Sequence, residues 1–271
     1  MMIPRQVFIR GAGDLATGVA HRLFMAGFDL VMLELPEPLV VRRPVSFASA
    51  VYEKKIVVEN VEAILCSDRI KVKVANKNRK VAVLVDPEAF SIKKSRPKIL
   101  VEARMKKTTE LASLNDAELV IGLGPGFYAG RNVHAVVETM RGPDLGSVIY
   151  NGEAAKNTGI PGKVEGYGIE RLLKATESGI FRPIREIGDI VKKGETLAYI
   201  NESPVQSKIN GMIRGLLYPG LEIEEGMKIG DIDPRGKEVN IYKISDKARA
   251  VGGAVLEAIL HRYHFDNISK L

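Results

Sequence analysis

The feature that most constrains this chain lies near its start. An apolar run, Val7-Phe8-Ile9, leads at once into Gly11-Ala12-Gly13-Asp14-Leu15-Ala16-Thr17-Gly18, and then Val19, Ala20, Leu23 and Phe24 recur at helical spacing. Strand, glycine turn and helix in that order match the G-x-G-x-x-G/A pattern in the context that gives it meaning. The first glycine permits a tight turn and the second lets backbone approach a pyrophosphate. The helix start adds unbonded N–H groups and positive potential. Gly27 closes the helix, Asp29–Glu34 reads as a second strand, and Glu34 stands about 20 residues beyond the turn, where a carboxylate reaches ribose hydroxyls. Gly11, Gly13, Asp14, Ala16, Thr17, Gly18 and Glu34 are therefore candidate cofactor-binding residues. The structural alternative is a turn that packs tightly and holds no ligand.

Further strands are predicted at Val81–Val85, 99–101, Leu119–Leu123 and 146–150, with a short helix over 44–52. The first half is thus predicted as α/β, a Rossmann-like mainly parallel sheet. Leu119–Leu123 runs into Gly124-Pro125-Gly126, and 132–140 is predicted to be a helix after that second glycine turn. Gly124 and Gly126 join the candidate anion-binding positions. On such a helix His134, Glu138 and Arg141 would share a face, and the His134–Glu138 pair would do acid–base work or hold a metal or, more commonly, form a surface ion pair. Arg42 and Arg43 face either phosphate or water. Glu102 and Arg104, beside Lys106 and Lys107 at a strand end, read as a polar cleft or as a structural pair. His261 and His264 are expected to face solvent.

From about Gly179 short strands alternate with G-D, K-G and N-G turns, the texture of a compact all-β unit. "IGDIVKKGETLAYI" and "GLEIEEGMKIGDI" echo each other, which suggests an internal half-repeat. Ser245 should cap a final helix through Leu260, with Ala248, Val251, Val255, Leu256 and Ile259 on one face. The predicted domains are 1–165, 166–240 and a helical segment 241–271 that packs back on the first.

A single cysteine, Cys66, and four histidines leave no expected metal site. Nothing approaches a membrane-spanning apolar run, and a cytoplasmic location is expected. The net charge of +7 is concentrated: between Arg69 and Lys107, thirteen Lys and Arg stand against three acids. Such a face suits an anionic cofactor or an acidic protein patch, or is simply a solvated surface; no nucleic-acid motif accompanies it.

Beyond these local patterns, the chain resembles the YqeB-type accessory proteins that accompany selenium-dependent molybdenum hydroxylases. The residues that carry the resemblance are "IRGAGDLATGVAHRLFMAGFDLVMLELPEPLVVRRPVSFASAVY", "GLGPGFYAGRNVHAVVETMRG", "NTGIPG", "KIGDIDPRG" and "ISDKARAVGGAVLEAIL". Met140 and Pro143 depart from the family's pattern, which counts against metal binding at that turn. The resemblance implies a maturation factor with a molybdenum hydroxylase apoprotein as partner, and a molybdopterin dinucleotide or NAD(P) as candidate cofactor. An NAD(P)-dependent oxidoreductase, and an adaptor with an empty turn, are the competing readings. Residues 179–232 separately resemble a biotinyl/lipoyl-type barrel-sandwich hybrid, although Lys208 lacks the sequence context of a modified lysine.

Overall fold

A computed structural model describes residues 3–105, 112–157, 159 and 162–265. Lys106, Lys107 and part of the "NTGIPG" loop lie outside the described residues. The chain forms two units. The first comprises 1–38, 46–157 and 244–271, and the second 39–45 and 158–243.

In the first unit β1 (Gln6–Arg10) enters α1 (Asp14–Met25), followed by β2 (Asp29–Glu34), α2 (Ala50–Glu53), β3 (Lys55–Val58) and β4 (Val61–Cys66). Then come α3 (Arg69–Lys77), β5 (Val81–Val85), α4 (Phe90–Ser95), β6 (Ile99–Glu102), β7 (Leu119–Leu123), β8 (Tyr128–Ala129), β9 (Ala135–Val137), β10 (Val148–Ile149) and β11 (Gly152–Glu153). Nine strands make one sheet in the order β10-β9-β7-β6-β1-β2-β5-β4-β3, and β8 pairs with β11 separately. The central strands are buried on both faces, as their unbroken Val, Ile and Leu content requires of parallel strands.

The Rossmann-like mainly parallel sheet is corrected by this topology. Both edges are antiparallel, through β3–β4 and β9–β10, so the sheet is mixed. The order also differs: β2 is flanked by β5, not by the strand that follows it in sequence. A tight hairpin causes this. Glu59 and Asn60 both adopt positive φ, as a two-residue turn demands, and β3 and β4 fold together before α3 carries the chain back to β5.

The predicted helix over 132–140 is likewise absent, and its centre is strand β9. Ala135-Val136-Val137 pairs parallel with β7 and antiparallel with β10, which suits its β-branched residues. The final helix, α5 (Asp246–Leu260), begins at Ser245, whose hydroxyl accepts the Ala248 N–H, and it packs on α1. Among the described residues no helix is long and apolar enough to cross a membrane.

The second unit holds β12 (Leu172–Lys174), β13 (Gly179–Pro183), β14 (Ile190–Val191), β15 (Thr196–Ile200), β16 (Ser203–Gln206), β17 (Gly211–Leu216), β18 (Glu222–Ile223) and β19 (Lys228–Asp233). They form two four-stranded antiparallel sheets, β12-β19-β17-β14 and β16-β15-β13-β18. The expected barrel-sandwich module of 179–232 is corrected too, because its sheets are not closed within that segment. β12 precedes it, and Val41, from far upstream, accepts the Leu216 N–H and packs against Gly215. A buried ionic cluster ties this unit: Asp231 meets Arg171 and Arg214, while Asp233 meets Arg214 and Arg235.

Candidate functional site

β1 and β6 are neighbours whose outgoing connections leave in opposite directions, toward β2 and β7. In an open α/β sheet the crevice at the carboxyl ends of such a pair is the favoured ligand position. The glycine turn lies at this point. Gly11 has φ +96°, and a Cβ there would sit 3.3 Å from the Ala103 backbone, so glycine is required by close approach of the strand ends. Gly13 behaves differently. It precedes α1 in extended conformation, makes no side-chain cap, and has nothing within 4 Å of an added Cβ. It is the open side of the turn.

The remaining motif residues serve the fold. Thr17 is buried; its hydroxyl donates to the Ala12 carbonyl at 3.1 Å and accepts the Phe47 N–H at 2.8 Å. Ala48 N–H also donates to the Ala12 carbonyl. Ala16 is buried, and Gly18 lies against Ala248 of α5. Glu34 turns inward: one carboxylate oxygen accepts the Ala12 N–H at 2.7 Å and the other the Leu35 N–H at 2.8 Å. Burial raises its pKa, and the two backbone hydrogen bonds and Arg104 oppose that rise. Part of the turn's donor capacity is therefore met by the protein itself.

Beside the turn, Glu102 is 1% exposed and accepts Arg104 through two parallel contacts of 2.7 and 2.8 Å, with Arg10 at 3.2 Å. Sequence singled out Glu102 and Arg104 and left pairing open; the structure makes them a bidentate pair. Arg10, overlooked, carries no local signal beyond ending β1. Burial lowers its pKa, partly offset by Glu102.

Lys247 was also overlooked. It stands in the first turn of α5, and burial, then Arg141, lower its pKa against the pull of Asp14, Glu138 and Asp246. Asp14 lies in the first turn of α1, so this group joins the two helix starts.

Gly124 and Gly126 both have positive φ; Gly124 donates its N–H to the Val137 carbonyl, and a Cβ on it would meet Thr139 Oγ1 at 2.5 Å. Packing closes that turn at Gly124, while Gly126 is half-buried.

His134 and Glu138 are not brought together as a pair. His134 Nδ1 accepts the Val120 N–H at 3.0 Å, and burial together with Arg262 depresses its pKa. The Glu138 carboxylate accepts the Met140 N–H at 2.6 Å and the Ala155 N–H at 2.7 Å. Along a strand, four residues span about 13 Å, whereas on the predicted helix they would have been neighbours. Among the described residues, no three His, Cys, Asp or Glu side chains gather in a metal-holding group. Arg42 donates to the Lys243 carbonyl, and Arg43 lies over the Tyr218 ring, both within the second unit. His261 stacks on Tyr150, and His264 is exposed.

As an anion or dinucleotide site, this crevice offers an open main-chain approach at Gly13 at the start of an uncapped helix, flanked by cationic side chains. Glu34 does not present the outward carboxylate that a ribose contact needs.

No protein-family model matches the chain. The solved structures it matches include desuccinylase and aspartoacylase proteins. The ectoine utilization protein EutE (DoeB) of Ruegeria pomeroyi, product bound, is 12% identical, with a TM-score of 0.24 over 77% of this chain and 59% of that one. A succinylglutamate desuccinylase of Silicibacter sp. TM1040 is 13% identical, with a TM-score of 0.25 over 84% of each. Scores this low mark unlike overall arrangements and bear on neither fold nor chemistry. The chain is a mixed α/β protein whose glycine turn lies at the carboxyl ends of β1 and β6.

The particular relative is the Escherichia coli (strain K12) "Uncharacterized protein YqeB", 44% identical over 258 residues, or 95% of this chain. That match supports the YqeB-type resemblance. The chain spans about half the length of that relative, 48%.

Proposed function

We propose that this chain is an accessory factor in maturation of a selenium-dependent molybdenum hydroxylase, and that it binds an anionic, nucleotide-bearing cofactor against Gly13. The biological role is what the resemblance of the sequence blocks to YqeB-type accessory proteins implies; the 44% identical relative carries the likeness but no role. The observation that carries the site is the unobstructed approach to Gly13 at the start of α1, next to the Arg10–Glu102–Arg104 group. A phosphate there would meet main-chain donors and the positive end of the helix dipole. The residues in question bind and orient; no proton-transfer role is given to His134, whose Nδ1 accepts a backbone N–H, or to Glu138, both of whose carboxylate oxygens do so.

The adaptor alternative draws on Glu34, which already satisfies the Ala12 amide. Calorimetry separates the two. Wild-type protein is titrated with molybdopterin dinucleotide, NAD, NADP and adenine nucleotides, alongside Gly13→Asp. An aspartate at that helix start accepts the nearby N–H groups and places negative charge where the ligand's would be, so the variant should fold at least as stably and bind about tenfold or more weakly. No binding by any of these ligands, or binding indifferent to Gly13→Asp, would overturn the proposal and leave the adaptor.

A further inference from the structure

The basic segment is not an evenly solvated surface. α3 and α4 contain no acidic residue, and they expose Arg69, Lys71, Lys73, Lys77, Lys93 and Lys94. Two of the flanking acids are turned onto backbone, Asp68 accepting the Ile70 and Lys71 N–H groups and Asp86 those of Phe90 and Ser91, while Glu88 is exposed. Apolar side chains stand among these cations, with Ile70 75% exposed, Val74 52% and Phe90 65%. Ile70 and Val74 are one helical turn apart on the same outward face, while α3 buries Val72 and Ala75 beneath.

The two helices lie side by side. Arg69 donates to the Ser95 hydroxyl at 2.8 Å, and between them is a recess of about 60 Å³. Its rim is Arg69, Lys73, Ser91 and Ser95, and Phe8, Val31, Val72 and Leu84 contribute apolar lining.

We propose that the α3–α4 face docks an acidic segment of a partner protein, one apolar side chain of which enters the recess while its carboxylates meet the surrounding Arg and Lys. Charge complementarity selects an anionic partner, and the recess selects among anionic partners. An apolar anchor in a small pocket with a charged rim is the anatomy of a protein–protein hot spot. A lipid surface has no use for a one-side-chain recess. Single-stranded nucleic acid needs aromatic stacking platforms, and Phe90 stands alone here. This surface is independent of any ligand at Gly13.

The test uses the whole chain and fluorescence anisotropy. The probe is a labelled synthetic helical peptide bearing glutamates around one leucine stripe. Controls are the same peptide with Leu→Gln, phosphatidylcholine/phosphatidylserine vesicles and single-stranded RNA. The leucine peptide should bind, the Leu→Gln peptide about tenfold more weakly. Lys73→Glu on α3 and Lys93→Glu on α4 should each weaken the leucine peptide by about tenfold while unfolding as wild type does. Gly13→Asp should leave this binding unchanged, which separates the surface from the cofactor proposal. The proposal is overturned by absence of peptide binding, by equal affinity for the leucine-free peptide, or by indifference to both reversals. Vesicle or RNA binding that exceeds the peptide's and is lost in the reversals overturns it as well.

Discussion

Replacing Gly18 by alanine tests why a glycine-rich start can serve two purposes. On an isolated helix the change stabilises by about 1 kcal/mol, because alanine loses less backbone freedom on folding. Here an added Cβ would lie 2.6 Å from the Ala248 Cβ and carbonyl oxygen and 2.8 Å from its carbonyl carbon. Two of these atoms are backbone, so α5 itself must move. Overpacking of this kind costs about 1–3 kcal/mol, and a backbone obstacle places the cost toward the upper end.

Set against the propensity gain, the net loss is about 2 kcal/mol, a fall of roughly 4–8 °C in Tm for a cooperative unit of this size. Gly13→Ala is the internal control. With nothing within 4 Å and φ at −68°, it should change stability by no more than about 1 kcal/mol. Urea unfolding followed by far-UV circular dichroism gives the free energies, and amide hydrogen exchange shows whether protection falls in α1 and α5. If Gly18→Ala matches or exceeds wild-type stability while Gly13→Ala loses more, the close approach of α1 and α5 is not what requires glycine at position 18.

Two further outcomes concern carboxylates. The folded-state pKa of Glu34 is raised, chiefly by burial, so its contribution to stability fades as pH rises from the ordinary carboxylate range through that raised value. Unfolding free energies should therefore shift in favour of Glu34→Gln across that window, and a pH-independent difference contradicts the burial argument. Asp233 is buried, which alone would raise its pKa, but hydrogen bonds from Arg235 and the charges of Arg235 and Arg214 hold it below the usual range. Its stabilisation is present above the ordinary carboxylate pKa and is lost as pH falls through the depressed one. Arg235→Met should cost about 2 kcal/mol, short of the 3–5 of a wholly buried pair, because the Arg235 side chain is 43% exposed and Arg214 remains. Acid unfolding monitored by circular dichroism should move to higher pH; an unchanged acid midpoint would show that Arg214 alone sustains Asp233.

Local pattern made several elements legible. The apolar run before Gly11, the periodic face through Leu23, the strands Asp29–Glu34, Val81–Val85 and Leu119–Leu123, and the Ser245 cap all depend on neighbours within one or two turns. The helix predicted over 132–140 failed by the same logic. Valines and an alanine fit a buried helix or a buried strand, and pairing with β7 and β10 settles which. The echoing segments near 190 and 225 were visible as sequence, but β12, which joins β19 in one sheet, and the contact of Val41 with β17 were not.

The candidate site divides along the same line. Sequence by itself determined that a glycine turn joins a buried strand to a helix, because backbone freedom and apolar periodicity are properties of adjacent residues. Only tertiary structure decided strand order, the inward turn of Glu34 onto Ala12, the sharing of Glu102 by Arg10 and Arg104, and the use of Gly18 as a seat for Ala248. Each of those depends on groups far apart along the chain, and a hydrogen bond or a close contact is decided by proximity in space, which local propensity does not encode.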